Sequence, residues 1–248
     1  MSLQSMFLGL VVFFNSYTVF ASVPKLTFSY GEVNTYPQVI LSDDGDIRSG
    51  ILFDLANAIG SELNIQIEFL KTPRARLEQL LLDKFVDINC TANPKWLTSS
   101  NLIWSEPLYD NPDLLINHLN LSSVEQLINY AESKTTPTLI GTVLGYRYPN
   151  LEPLFDRGKL VRIDSLSPSI SYQRYLRGDF PMFVIAKTEA SIVDTAQTQN
   201  SALIDHNYLY CALSPKLSAN DISELLQAIQ KLVVSGAMSD ILKRYSVQ

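Results

Sequence analysis

Residues 65–90 read IQIEFLKTPRARLEQLLLDKFVDINC. IQIEFL alternates apolar and polar side chains with the period of a half-buried strand. Beyond Pro73, residues 74–84 place Leu77, Leu80 and Leu81 on one face of a helix. Residues 86–90, VDINC, return to a short strand. Upstream, residues 25–30 (KLTFSY) alternate as another strand, and residues 51–63 put Leu52, Leu55, Ala56, Ile59 and Leu63 at helical spacing. The segment between those two elements carries Tyr36-Pro37 and a polar stretch bounded by glycine, which reads as loop and turn. Strand, helix, strand, helix, strand is the order of a parallel sheet covered by helices.

The same alternation starts again further along. Strands are predicted over 138–143, 160–163 and 183–185, and helices over 151–157, 169–176 and 188–197. The chain therefore holds two small α/β units. A Pro-rich extended segment, 104–119, leaves the first unit, and a second extended stretch, 208–213, re-enters it. Two crossings imply two lobes joined by a double hinge, with residues 22–109 plus 208–248 in lobe 1 and residues 110–207 in lobe 2. Residues 221–245 read as two helices broken near Gly236, with Leu225, Ile229, Leu232 and Val233 as a core-facing stripe.

Composition narrows the function. The 248 residues carry 19 Lys plus Arg against 25 Asp plus Glu, a formal net charge of -6, with no basic run. Nucleic acid is excluded as a partner on that pattern, because phosphate binding needs a concentrated positive stripe. His118 and His206 are isolated, no Ser or Cys nucleophile motif occurs, and no cofactor or metal is expected. Residues 6–14, MFLGLVVFF, form a short apolar run followed by a small residue, Ala21. This predicts a signal peptide over 1–21, cleaved after Ala21, and a periplasmic mature protein, although no Lys or Arg precedes the run. No later segment approaches the roughly 18 consecutive apolar residues of a membrane span. Count and compartment leave two states open for Cys90 and Cys211, a disulfide or two buried thiols.

Four segments, in order, carry a resemblance: Gly50-Ile51-Leu52-Phe53-Asp54-Leu55 with Ala58-Ile59; residues 80–87 ending Phe85-Val86-Asp87; Trp104-Ser105-Glu106-Pro107-Leu108-Tyr109; and Ser235-Gly236-Ala237-Met238-Ser239-Asp240-Ile241. Together they resemble the bacterial extracellular solute-binding proteins of family 3, the periplasmic amino-acid-type receptors of ABC transporters. The resemblance implies the type II periplasmic-binding-protein fold, each lobe a mainly parallel sheet flanked by helices. It also implies a monomer that closes on a small molecule and is read by an ABC permease or a membrane sensor. In that fold the strands carrying Cys90 and Cys211 lie side by side, so the resemblance implies that they pair. The sequence departs from the family at its amino acid clamp. The segment that usually supplies an Arg reads Thr91-Ala92-Asn93-Pro94-Lys95-Trp96, and the segment that usually supplies an acid reads Ala186-Lys187-Thr188-Glu189, with a cation where the anion is expected.

Other residues are candidates to replace the clamp. Arg74 and Arg76 follow the second strand of the first unit, and Tyr146 and Arg147 follow the first strand of the second. In α/β sheets such loops face the ligand crevice. A guanidinium fork suits a carboxylate, and exposed arginines of this kind are otherwise solvated or salt-bridged. Tyr30, Tyr36, Trp96 and Tyr146 are candidates to stack on a ligand, while Trp104 is assigned to hinge packing. With Glu32 added, the set suits an anionic or planar polar solute. The alternative is an enzyme of the cyclohexadienyl dehydratase kind, which needs a poised carboxyl group, and Glu32 or Glu189 would supply it. Neither lies in a spacing that demands catalysis, so binding without chemistry is the expectation.

Overall fold

A computed structural model describes residues 24–31, 35–194, 198 and 201–245. The predicted signal peptide and Glu32 lie outside the described residues. Lobe 1 is built on β1 (Lys25–Gly31), β4 (Gln66–Thr72), β5 (Ile88–Ala92), β6 (Ile103–Trp104) and β13 (Tyr208–Leu213) in the order β4-β1-β5-β13-β6. β4, β1 and β5 run parallel, and β13 is antiparallel to β5 and β6. A small antiparallel pair, β2 (Ile40–Leu41) and β3 (Ile47–Ser49), precedes α1 (Ile51–Leu63). Lobe 2 orders its strands β10-β9-β11-β8-β12: β8 (Asp113–Asn117), β9 (Thr138–Val143), β10 (Leu160–Ser165), β11 (Met182–Ala186) and β12 (Ala202–Asp205). Between the sheets, β7 (Tyr109–Asp110) pairs antiparallel with the start of β13, so the two crossings of the chain are hydrogen-bonded to one another.

Each sheet is covered on both faces, which is why its strands are so apolar. On one side of sheet 1, Phe28 packs with Ile51, Leu55 and Ile59 of α1, with Leu225 and Ile229 of α6 (Ala219–Val234), and with Met238 and Ile241 of α7 (Ala237–Arg244). On the other, Leu77 and Leu81 of α2 (Leu77–Leu82) pack with Val86, Ala92 and Ala212. In lobe 2, α3 (Val124–Ser133) and α4 (Glu152–Asp156) supply Leu127, Ala131 and Leu154 to one core, while Tyr175 of α5 (Pro168–Leu176) joins Phe180 and Phe183 in another. The helix starts are locally encoded: Ser123, Ser167 and Ser218 each accept a hydrogen bond from the backbone N–H three residues on. Gly236 takes the left-handed φ of 84° that breaks α6 from α7.

Cys90 and Cys211, both fully buried, form a disulfide between β5 and β13. Three sequence expectations need correction. The helix predicted over 188–197 begins instead as a 3-10 helix, Lys187–Ile192, moored to the hinge where Lys187 N donates to Pro112 O at 2.8 Å and Thr188 N to Asn111 Oδ1 at 3.0 Å; residues 195–197 lie outside the described residues. The helix predicted from residue 74 begins with a 3-10 turn, Arg74–Arg76, before α2. The segment 104–119 is interrupted into β6, β7 and β8, and α3 and β12 were not anticipated.

Candidate functional site

A small, partly open cavity of about 40 Å³ lies between the lobes. Lobe 1 and the hinge supply Gln38, Arg74, Thr91, Trp96 and Leu209; Asn111, Asp113, Tyr146, Arg147, Ala186 and Glu189 face them. Most come from the carboxyl ends of strands or the loops that follow, where an α/β sheet leaves backbone polar groups and side chains unburied by its own helices.

Gln38 reaches the cavity through a loop fixed from behind. Ile51 N donates to Pro37 O and Leu52 N to Gln38 O, so the first turn of α1 holds the loop's carbonyls. Gly50 makes that approach feasible: its φ is 116°, and a Cβ there would meet Gln38 O at 2.6 Å. The buried Gln38 Nε2 then donates to Tyr109 Oη and to Thr188 Oγ1, both at 3.1 Å. The second contact joins the lobes directly.

Arg74 lines the same side of the cleft. Its guanidinium carbon lies 5.1 Å from the Trp96 ring centroid on its own lobe and 5.8 Å from that of Tyr146 on the other. Gly145, at φ 77°, lets the second lobe close on it; a Cβ there would stand 3.3 Å from Arg74 Cβ and Cγ. Arg74 spends one N–H on Thr91 O at 3.1 Å and, among the described residues, meets no carboxylate. Burial lowers its pKa, with the Tyr146 hydroxyl opposing that shift. A guanidinium carries five N–H donors, so most of this one's capacity is left for an occupant.

The floor of the cavity has the opposite character. Glu189 is 2% exposed and Asp113 5%. Burial, helped by mutual repulsion with Asp113, pushes Glu189 up to about 8. Burial and the Asp205 charge push Asp113 up to about 8, against a 2.7 Å hydrogen bond accepted from Asn207 Nδ2. Glu189 Oε1 and the indole Nε1 of Trp96 are buried with no hydrogen-bond partner among the described residues. Orphan buried polar atoms are rare in folded proteins, and these two belong to residues that line the same cavity.

The sequence candidates divide. Arg74, Trp96, Tyr146, Arg147 and Glu189 come together in the lining. Tyr30 does not: it is buried in the core of lobe 1 beneath α1. Tyr36 is 42% exposed and aims its hydroxyl at Tyr245 O, on the outside of the loop that carries Gln38. Arg76 is exposed on the outer side of the 3-10 turn, outside the lining. Trp104 packs edge-on against Tyr210, away from the cavity. The expectation of a cation at the acid position is also corrected: Lys187 points to solvent, and the tight 3-10 turn directs Glu189 inward. Gln38, Asn111 and Asp113 were missed. An acid heading the apolar strand DLLIN was a readable signal for Asp113; nothing local marks Gln38. Among the described residues no group of three or more His, Cys, Asp or Glu side chains is placed to hold a metal ion.

The sequence matches no protein-family model and no curated protein. The fold is shared with solved structures. An ancestral amino acid-binding protein described as a precursor of cyclohexadienyl dehydratase is 16% identical, over 89% of this chain and 94% of its own, with a TM-score of 0.69. A Salmonella typhimurium periplasmic binding protein described as having high arginine specificity is 15% identical, over 89% and 98%, with a TM-score of 0.66. A Streptococcus pneumoniae ABC uptake transporter substrate-binding protein with bound histidine is 12% identical, over 89% and 92%, with a TM-score of 0.68. The two sheets, the paired crossings and the cleft therefore define the class: this chain has the two-lobed, type II periplasmic-binding-protein fold. Its structural neighbours within that class include amino acid-binding proteins and substrate-binding proteins of ABC transporters.

Proposed function

We propose that the protein is a periplasmic solute-binding protein that traps a small dipolar solute by hinge closure and delivers it to an ABC permease or a membrane sensor. One observation carries this reading: the cleft between the lobes holds a half-buried guanidinium with unspent donors and a buried carboxyl with an unpartnered oxygen. A solute presenting an acceptor to Arg74 and a donor to Glu189 satisfies both, and neither group is satisfied by the protein alone. The expectation of an anionic or planar polar ligand is narrowed to a dipolar one, because Asp113 and Glu189 line the same cavity as Arg74. Closure follows if the solute contacts both lobes, because only differential contacts shift the open and closed populations.

The test is a thermal-shift screen of small zwitterions, with mass spectrometry of whatever leaves the gently purified protein on denaturation. The right solute raises Tm by mass action and compacts the protein in small-angle scattering. A full screen with no shift, no compaction and no released solute overturns the reading.

A second reading has one observation in its favour. Glu189, pushed up to about 8, holds its proton at neutral pH inside a closed cleft, which is the requirement for a general acid. A dehydratase acting on a cyclic acid would use it to protonate a departing hydroxyl. Turnover of prephenate or arogenate by the purified protein, abolished by Glu189→Gln, establishes that reading; no turnover by the folded protein removes it.

A further inference from the structure

The opening turn of α1 is capped by distant parts of the chain. Gly50, its N-cap, has no side chain with which to accept an N–H. Three consecutive N–H groups therefore find acceptors outside the helix: Gly50 N donates to Tyr245 Oη at 2.9 Å, Ile51 N to Pro37 O at 3.0 Å and Leu52 N to Gln38 O at 3.1 Å. Two of the acceptors belong to the loop that carries Gln38. The third is the phenol of Tyr245, 195 residues further on at the end of α7.

Tyr245 reaches this loop at both of its ends. A phenol hydroxyl accepts and donates at once, and this one accepts from Gly50 N and donates to Asp54 Oδ2 at 3.0 Å. Arg244 Nη1 lies 3.1 Å from the same carboxylate oxygen. The backbone carbonyl of Tyr245 accepts from Tyr36 Oη at 3.4 Å, two residues ahead of Gln38. Met238 and Ile241 of α7 are buried in the lobe 1 core and Tyr245 packs against it, so the clasp is fixed to the core and not to the loop. Gly50 in turn backs directly onto Gln38: a Cβ there would meet Gln38 O at 2.6 Å. No slack is left between the residue that Tyr245 holds and the residue whose amide reaches Thr188 on lobe 2.

We propose that Tyr245 is a positioning residue for closure of the lobes. By holding Gly50 it sets where Gln38 stands, and through Gln38 it sets the balance between open and closed cleft. Tyr245 does not line the cavity, so its effect on a solute passes through that amide. The proposal rests on the hinge closure of the solute-binding reading, and it adds a residue at the far end of the chain that tunes it.

A double-mutant cycle tests it, because a route through Gln38 gives a result that a general loss of stability does not. Tyr245→Phe removes one oxygen and keeps the ring. Spin labels at exposed Asn101 on lobe 1 and exposed Asp156 on lobe 2 give the closed and open fractions of the ligand-free protein from pulsed dipolar distances. Wild type, Gln38→Ala, Tyr245→Phe and the double variant are compared. Tyr245→Phe is expected to lower the closed-to-open ratio at least about threefold, but less than about 1.5-fold when Gln38 is already alanine. Arg244→Gln removes the ion pair on Asp54 and leaves the Gly50 contact, so it is expected to move the ratio less than about 1.5-fold. An unchanged ratio in Tyr245→Phe overturns the proposal, even with a lowered Tm. So does an equal fall with and without Gln38, or an equal fall in Arg244→Gln. One fixed lobe-to-lobe distance in every variant overturns the proposal together with hinge closure. The cycle needs no solute: if it runs as expected and no solute binds or is released, the role of Tyr245 stands and the solute-binding reading falls.

Discussion

Gln38 Nε2, on lobe 1, lies 3.1 Å from Thr188 Oγ1, on lobe 2, and both residues are buried. This hydrogen bond bridges the lobes beside the cleft, and Tyr109 on the hinge shares the same amide. Gln38→Ala removes the bond while leaving the loop's backbone anchors to α1 in place. A buried neutral hydrogen bond contributes about 1 kcal/mol net, so the closed-to-open equilibrium constant should fall about fivefold. The expected result is a larger radius of gyration in ligand-free scattering, with solute still able to restore compaction at higher concentration. An unchanged radius would show that closure does not depend on this amide.

Arg74→Lys keeps a positive charge but loses the planar fork that stacks between Trp96 and Tyr146. Affinity for the solute released from the wild-type protein should drop at least about tenfold, because a lysine cannot offer parallel donors from a stacked plane. Competition calorimetry with that solute measures it. Wild-type affinity in the variant would place the solute's anionic end elsewhere.

The cleft acids give stability a pH dependence whose sign is fixed by their raised values. Glu189 and Asp113 sit at about 8 in the folded protein, against about 4 for unfolded carboxylates. Between those values the folded state holds more protons than the unfolded state, so its stability is greatest below about pH 4 on this account and is lost as pH rises to about 8. Tm of the unliganded protein should therefore fall across that window, and Glu189→Gln should flatten the slope and raise Tm at pH 8. Binding of an ammonium group to the ionised Glu189 runs the other way: it releases a proton below pH 8 and strengthens as pH rises. Calorimetry in buffers of different ionisation enthalpy reads that proton directly.

Much of the scaffold was legible in the sequence because its signals are local. The stripe through Leu52, Leu55, Ala56 and Ile59 became the buried face of α1, and Gly236 broke the C-terminal helices where its φ demanded. The helix Val124–Ser133, capped by Ser123, buries only Leu127 and Ala131 fully, so its apolar stripe is narrower than that of α1. The site was legible only where topology alone points residues at the cleft, as for Arg74, Trp96, Tyr146 and Arg147. Gln38 and Asp113 reach it through a loop backed by α1 and a strand leaving the hinge, relations between distant parts of the chain that no window shows. Glu189 is a candidate acid on sequence alone, but its place in the lining depends on a 3-10 turn moored to Asn111 and Pro112 far upstream.

The disulfide bears on stability and not on recognition. Cys90 and Cys211 are 121 residues apart, and the loop they close contains all of lobe 2. They sit in neighbouring strands of sheet 1, on either side of the double crossing, so the bond ties the outgoing and returning passes of the chain together. In the chain-entropy account, closing a loop of this length stabilises the fold by about 4–5 kcal/mol. Neither cysteine lines the cavity. The paired variant Cys90→Ala with Cys211→Ala should therefore lower Tm by several degrees or more while leaving solute affinity within about twofold of wild type at a temperature where both are folded. Calorimetry at low temperature beside a thermal melt separates the two effects. A large loss of affinity in the folded variant would mean that the bond sets the hinge geometry as well, through β13 and its partner β7.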